Sequence, residues 1–171
     1  SGISVVLHPK NPKVPALHFN TRFICTQKSW FGGGIDATQS LKDLNQKKYF
    51  HNELKKMCNK HNKKYYPKYK KWCDEYFYLP HRNEARGIGG IFFDYKMDNW
   101  EKDFSFIKDV GLTFDFLLKE IVKKNMFSKW TAKQKEIQLL KRGRYVEYNL
   151  LYDRGTKFGL NSGGNPEAIL M

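Results

Sequence analysis

The chain has 171 residues, of which 40% are hydrophobic and 16% aromatic, and its formal net charge is +14. This composition excludes a disordered chain and predicts one globular domain over residues 1–171. The positive charge favours an anionic partner such as nucleic acid, an anionic membrane surface or an acidic substrate.

Only six of the 31 basic residues are arginine, and these lie in strand-like or glycine-rich stretches where a fixed two-point donor is useful. The many lysines cluster on predicted helix surfaces, where solubility explains them. No apolar run is long enough for stable membrane insertion, and residues 1–6 form a strand pattern rather than a signal peptide. Cys25, Cys58 and Cys73 form no CxxC motif, which favours a reducing, cytoplasmic location without a disulfide framework or zinc site.

Two neighbouring strands are predicted near the N-terminus, over residues 3–7 and 16–25. The link between them contains prolines, which exclude a helix there. A short connection of this kind predicts an antiparallel pair, which places Ser4 and His8 near His18.

The second of these strands has one polar face. Its two-residue period puts His18, Asn20 and Arg22 on one side of the chain and mainly apolar residues on the other. An imidazole, an amide and a guanidinium in a row suit a ligand with several carboxylates. The alternative is an edge strand with an ordinary polar face, and this stretch alone leaves both interpretations open.

Three consecutive glycines, residues 32–34, follow a Trp30-Phe31 pair. Glycines are unfavourable in regular elements, so this triplet predicts unusual dihedral angles or close approach of a ligand to the backbone. Asp36 is then expected at the rim of a site with an apolar wall. A flexible surface turn is the alternative, which the bulky aromatic neighbours disfavour.

Apolar spacing predicts helices in the middle of the chain, and a capping-box sequence predicts one more. The expected helices cover residues 41–62, 67–78, 98–124 and 131–143. A strand is expected at 91–95, after a glycine-rich stretch that lacks the features of a phosphate-binding loop. Alternation predicts two further strands at 144–153 and 156–160, with a glycine loop at 161–165. The predicted fold class is α+β, an antiparallel sheet with long helices packed against it.

Several long motifs in this order closely resemble the oxygen-dependent coproporphyrinogen III oxidases. The motifs are His8-Pro9, His18-Phe-Asn-Thr-Arg22, Trp30-Phe-Gly-Gly-Gly-Ile-Asp36, Lys71-Trp-Cys-Asp-Glu-Tyr76, His81-Arg-Asn-Glu-Ala-Arg-Gly-Ile-Gly-Gly-Ile-Phe-Phe-Asp94 and Arg142-Gly-Arg-Tyr-Val-Glu-Tyr-Asn149. The resemblance implies a large flat antiparallel β-sheet sandwiched between α-helices, in a homodimer with a cleft in each subunit.

The reaction implied by this resemblance is the oxidative decarboxylation of two propionate side chains of coproporphyrinogen III to vinyl groups. The product is protoporphyrinogen IX, an intermediate of haem biosynthesis. Molecular oxygen is the implied co-substrate, no organic cofactor is implied, and a divalent metal cation is a further candidate. The four carboxylates of this substrate agree with the polar strand face described above.

The resemblance also assigns roles to individual residues. The implied proton donor is His18, and Asp36 is implied to bind the pyrrole N–H groups and assist deprotonation. Arg82 and Arg86 are further candidates for propionate contacts, or for ion pairs with Glu84 or Asp94. The implied substrate-binding residues are Ser4, Asn20, Arg22, Gly163, Gly164 and Asn165.

Four histidines match positions sometimes assigned to a metal in the family, although their spacing is unlike a local zinc motif. They are His8, His18, His51 and His81. The chain departs from the family pattern at Ala37-Thr38-Gln39, where Leu-Thr-Pro is usual, and at Asn165, where arginine is usual.

The family pattern extends beyond both ends of the chain, so a fragment is expected. Two alternatives follow from these observations. The chain is a basic nucleic-acid-binding domain, or it is a core that binds porphyrinogen without turning it over. The preferred interpretation is an oxidase that binds no nucleic acid.

Overall fold

The computed structural model describes residues 1–170, and its centre is a four-stranded antiparallel sheet. The strands are β1 (Gly2–Leu7), β2 (Ala16–Cys25), β3 (Ser29–Thr38), β4 (Tyr78–Leu79), β5 (Glu84–Ala85) and β6 (Gly89–Lys96). The helices are α1 (Leu44–His61), α2 (Tyr65–Tyr76), α3 (Trp100–Asn125), α4 (Ala132–Leu151), α5 (Arg154–Asn161) and α6 (Pro166–Ile169), with a 3-10 turn at Pro80–Arg82.

The central sheet has the strand order β1-β2-β3-β6, and β4 and β5 form a separate hairpin. All pairings are antiparallel, which confirms the predicted pairing of the first two strands. The register between β3 and β6 shifts between Phe31 and Gly33, and Tyr95 opposite this region has a φ of 52°. An irregularity of this kind increases the local twist of the edge strand.

One face of the sheet packs against α1 and α3 to form the hydrophobic core. Helical spacing gives α1 and α3 an apolar stripe each, and the sheet contributes alternate residues of β2, β3 and the edge strand β6. The fully buried contributors include Leu17, Ile35, Phe93, Phe50, Leu54, Phe106 and Val110. The other face lies under α4, so helices cover the sheet on both sides and the predicted α+β class is confirmed.

Side-chain caps define where the predicted helices begin. The Asp43 side chain accepts a hydrogen bond from the Gln46 amide at the start of α1, and Asn99 does the same for Lys102 at the start of α3. Thr131 forms the predicted capping box at the start of α4. Each satisfies an amide that lacks an intrahelical partner. Among the helices of residues 1–170, none combines the length and the apolar character that a membrane span needs.

The strands predicted at residues 144–153 and 156–160 are wrong, because α4 and α5 occupy this segment. The alternation there also contains a helical spacing, since Tyr145, Tyr148 and Asn149 are three and four residues apart and are buried together. Gly143 does not end the helix. A Cβ at this position would meet nothing within 4 Å, so the glycine lies on the outer side of α4 at a modest propensity cost.

The glycines at residues 32–34 lie inside β3, so the disfavoured alternative of a flexible surface turn is wrong, and so is the prediction of unusual dihedral angles. Their dihedral angles are not left-handed, since positive φ values among the described glycines occur at Gly89 and Gly163. What requires glycine is the close approach of other groups. A Cβ on Gly33 would lie 3.1 Å from the Phe93 ring, and one on Gly32 would lie 2.8 Å from Nε of Arg22.

Candidate active site

The polar residues predicted on β2 lie on the face of the sheet opposite the core. The strand register pairs His18 with Asp36 and Asn20 with Gly34, and it pairs Ser4 of β1 with Asn20. Directly opposed residues of antiparallel strands project from the same face. The sheet therefore brings Ser4, Asn20, His18 and Asp36 together, although Asp36 was expected at a rim rather than inside a strand.

Arg22 stands at the open end of this face, about one third exposed. Its Nη2 lies 2.8 Å from Oδ2 of Asp94, and its Nη1 donates to Oδ1 of Asn20 at 3.0 Å. The Trp30 indole donates to the other oxygen of Asp94 at 3.2 Å. The guanidinium is thus held in a fixed orientation while part of it stays accessible to an anion.

A buried cluster of three charged or polar side chains occupies the centre of the same face. His18, Asp36 and Arg86 are 7%, 6% and 4% exposed. A single carboxylate oxygen, Oδ2 of Asp36, accepts from Nη2 of Arg86 and lies 3.1 Å from Nδ1 of His18. Burial alone would raise the pKa of the Asp36 carboxyl, but Arg86 and His18 outweigh it and hold this pKa at about 2. The carboxylate is therefore ionised throughout the neutral range.

Aromatic rings of α4 and of the segment after α2 cover this cluster. The Tyr145 ring stacks on His18, with centroids 5.1 Å apart and planes 5° from parallel. The Arg86 guanidinium lies 3.9 Å from the Phe77 ring and 5.0 Å from the Tyr148 ring. These faces stabilise the cation and exclude water. The sequence prediction missed this cover because it assigned the tyrosines to a strand, whereas their three-residue spacing was the available signal.

The two arginines of the motif after α2 have different partners. Arg86 is ion-paired with Asp36, which neither predicted alternative anticipated. Arg82 points to the outside of α4, where its Nε lies 2.9 and 2.8 Å from the two carboxylate oxygens of Glu147. His81 contacts the same carboxylate at 2.6 Å. This network ties α4 to the 3-10 turn.

The four histidines proposed for a metal do not form one centre. His8 and His18 are neighbours, with ring centroids 5.9 Å apart. His51 donates from Nε2 to the carbonyl of Ile88 at 2.8 Å, and burial lowers its pKa. His81 is engaged at the surface with Glu147. Within residues 1–170, no group of three or more His, Cys, Asp or Glu side chains could hold a metal ion, so these residues do not fit a four-histidine site.

The predicted glycine loop connects α5 to α6. Gly163 has a φ of 80°, which glycine adopts without strain. Asn165 caps α6 by accepting a hydrogen bond from the Glu167 amide at 2.9 Å. Gly164 donates its amide to the carbonyl of Gly159 in α5. These contacts lie within the C-terminal helical segment, and a substrate-binding role of the loop remains a prediction.

The chain is similar to known proteins over its whole length. The family model described as coproporphyrinogen III oxidase matches residues 1–171. Proteins named oxygen-dependent coproporphyrinogen-III oxidase are similar to the chain in Rickettsia akari (59% identity), Rickettsia rickettsii strain Sheila Smith (59%) and Rickettsia africae (58%). Each alignment covers 100% of this chain and 62% of the relative. The chain thus spans less than two thirds of the length of these relatives.

Proposed function

The chain belongs to the coproporphyrinogen III oxidase family, and from this membership and the site geometry we propose its activity. It catalyses the oxygen-dependent oxidative decarboxylation of two propionate groups of coproporphyrinogen III to vinyl groups, giving protoporphyrinogen IX. The activity is proposed for the full-length natural protein, because the chain spans 62% of its curated relatives. Residues 1–171 form one domain in this proposal, which supplies most of the catalytic core.

The observation that carries the proposal is the buried ionised carboxylate of Asp36, on the same sheet face as the partly exposed Arg22. A porphyrinogen has pyrrole N–H donors at its centre and carboxylates at its periphery. Asp36 accepts hydrogen bonds from the pyrrole N–H groups and polarises these bonds, which assists their deprotonation. In a site from which water is excluded, the negative charge acts on the ring with little screening and makes it easier to oxidise.

Each decarboxylation consumes one proton, which gives His18 its role. The balance for one side chain is –CH2–CH2–COO⁻ + O2 + H⁺ → –CH=CH2 + CO2 + H2O2. The substrate loses CO2 and a hydride equivalent, which is two electrons and one proton, and oxygen takes up the two electrons with two protons. His18, whose Nδ1 lies 3.1 Å from Asp36, is the proposed source of the second proton.

Peripheral carboxylates bind at the open end of the face. Arg22 offers charge-assisted hydrogen bonds, each worth about 1.5–3 kcal/mol, and Asn20 and Ser4 lie beside it in register. Arg82, Gly163, Gly164 and Asn165 remain proposed further contacts. Arg86 is proposed as the partner that keeps Asp36 ionised rather than as a propionate contact, because the two side chains are bonded to each other.

Helix α4 blocks access to the buried cluster of His18 and Asp36. Asp36 and His18 are each less than 10% exposed, and Tyr145 lies directly on the His18 ring. A macrocycle can therefore contact Asp36 only after α4 shifts. The network of Arg82, His81 and Glu147 is the attachment that this shift has to strain or break.

No step of this mechanism passes through a metal, because the four histidines do not fit a single centre. We propose a homodimer from the family resemblance, and the exposed Leu139, Leu140 and Leu150 on the outside of α4 are surfaces suited to such a contact. A cytoplasmic location is proposed because all three cysteines are free thiols. The nucleic-acid-binding alternative rests on the net charge and on the lysine- and tyrosine-rich run of residues 63–71, whose tyrosines pack against the hydrophobic core.

Turnover tests the proposal directly. The full-length natural protein is incubated in air with freshly reduced coproporphyrinogen III, and the products are reoxidised and separated by chromatography. Protoporphyrin is expected, with a raised KM in Arg22→Gln. Arg154→Gln, which removes an exposed arginine at the start of α5, is the matched control and should behave as wild type. Absence of protoporphyrin from the wild-type reaction would contradict the proposed function.

A further inference from the structure

A small cavity lies between the sheet and α4, on the side of His18 away from Asp36. Its volume is about 20 Å³, which is room for one water molecule. The residues around it come from the ends of β2 and β3, the segments beside them and α4. They include Ala16, His18, Thr38, Gln138, Lys141 and Arg142.

Two buried polar atoms that line this cavity have no hydrogen-bond partner within residues 1–170. They are Nε2 of His18 and Oγ1 of Thr38, in side chains that belong to residues 7% and 5% exposed. Leaving such atoms unpaired in the interior is unfavourable, and native proteins satisfy them with protein groups or bound water. Both atoms belong to residues that line the same small cavity.

The sheet register explains why the space exists. Thr38 is paired with Ala16 next to the pair of Asp36 and His18, and the alanine methyl group leaves a gap beneath α4. Gln138 is engaged elsewhere, because its amide nitrogen donates to the Pro9 carbonyl at 2.8 Å and its side-chain oxygen accepts from Nζ of Lys135 at 2.6 Å. The cavity thus lies where the ends of β2 and β3 meet α4.

We propose that this cavity binds one water molecule between Thr38 and His18, and that Thr38 thereby positions His18 for proton transfer. The inference rests on the proposed function. An ionised carboxylate only accepts hydrogen bonds, so Nδ1 of His18 carries the hydrogen toward Asp36, and in the neutral imidazole Nε2 then presents a lone pair. The water donates to this lone pair and accepts from the Thr38 hydroxyl.

The arrangement supplies the proton that each decarboxylation consumes. When the Nδ1 proton leaves on the Asp36 side, Nε2 takes a proton from the water. The water takes one in turn from solvent at the end of the cavity lined by the half-buried Lys141 and Arg142. One proton moves inward, and no other bond changes.

Two substitutions at Thr38 in the full-length protein distinguish the effect of the hydroxyl group from the effect of the side-chain shape. Thr38→Val removes the hydroxyl and Thr38→Ser keeps it. We expect kcat to fall about tenfold in Thr38→Val, the effect of one hydrogen bond, with KM unchanged and a larger solvent deuterium isotope effect. Thr38→Ser should retain both values. Wild-type kcat and isotope effect in Thr38→Val, or an equal loss in both variants, would overturn the inference.

A second measurement does not depend on turnover. A high-resolution crystal structure of the full-length protein should show a water within 3.2 Å of both atoms, and the Thr38→Val structure should lack it. No ordered water between Thr38 and His18 would overturn the inference even in an active enzyme. An inactive wild-type protein with this water in place would instead contradict the proposed function alone.

Discussion

Replacing Asp36 by asparagine tests the buried ion pair at the centre of the site. The substitution keeps the shape of the side chain and removes its charge. Arg86, which is 4% exposed and surrounded by aromatic rings, then becomes a buried cation without a counter-charge. Since arginine does not give up its proton, the protein has no low-energy way to relieve this charge.

The expected loss of stability is several kcal/mol. Removing one partner of a buried ion pair costs about 3–5 kcal/mol, which for a chain of this length lowers the melting temperature by about 10 °C. The pKa of Asp36 gives a lower figure of the same order. A shift from 3.8 to about 2 corresponds to about 2 kcal/mol of stability at neutral pH.

Urea denaturation followed by circular dichroism measures the effect, with Arg86→Met and the double variant Asp36→Asn/Arg86→Met as controls. The double variant has no buried charge at this point and should recover most of the stability lost in Asp36→Asn. Turnover should be lost both in Asp36→Asn and in the double variant, which separates the structural effect of Asp36 from its chemical role. This prediction is refuted if the free energy of unfolding of Asp36→Asn lies within about 1 kcal/mol of the wild-type value. It is also refuted if the losses in the two single variants simply add in the double variant.

Three further predictions concern pH, the cover and the sheet. Because Asp36 has a depressed pKa in the folded state, its contribution is complete above about pH 4 and is lost as pH falls through about 2; acid titration should show this loss in wild type and not in Asp36→Asn. Glu147→Gln removes the carboxylate that holds Arg82, so hydrogen exchange should accelerate in α4 and not in β3; unchanged exchange would contradict the attachment. Gly90→Ala places a Cβ 2.8 Å from the Asp36 Cα and should abolish folding, whereas Gly143→Ala should stabilise by about 0.5–1 kcal/mol. Equal melting temperatures for these two variants would contradict the strand packing.

The two-residue period of β2 predicted the polar face correctly. Alternation fixes which side chains share a face of a strand, so His18, Asn20 and Arg22 needed no tertiary information. Predicting the position of Asp36 did require tertiary information. Three glycines indicate a loop by local propensity, and only the neighbouring strands reveal that close backbone and side-chain approach requires them inside β3.

The end of the chain shows how an ambiguous pattern misleads. Val146, Tyr148 and Leu150 alternate like a strand, but Tyr145 and Tyr148 also share a helical face. The segment forms a helix because Tyr145 packs on His18 and Tyr148 packs near Arg86. These contacts cannot be predicted from a local sequence pattern. The partner of Arg86 was unpredictable for the same reason.

The most direct test of the central claim is the structure of the full-length protein with coproporphyrinogen III bound in the absence of oxygen. We predict a macrocycle on the face formed by β2, β3 and β6, with pyrrole N–H groups directed at Asp36 and a carboxylate at Arg22. In the same complex, α4 should have moved away from His18. A macrocycle bound elsewhere, for example in the groove along α2 lined by Tyr66, Lys70 and Asp74, would contradict the account.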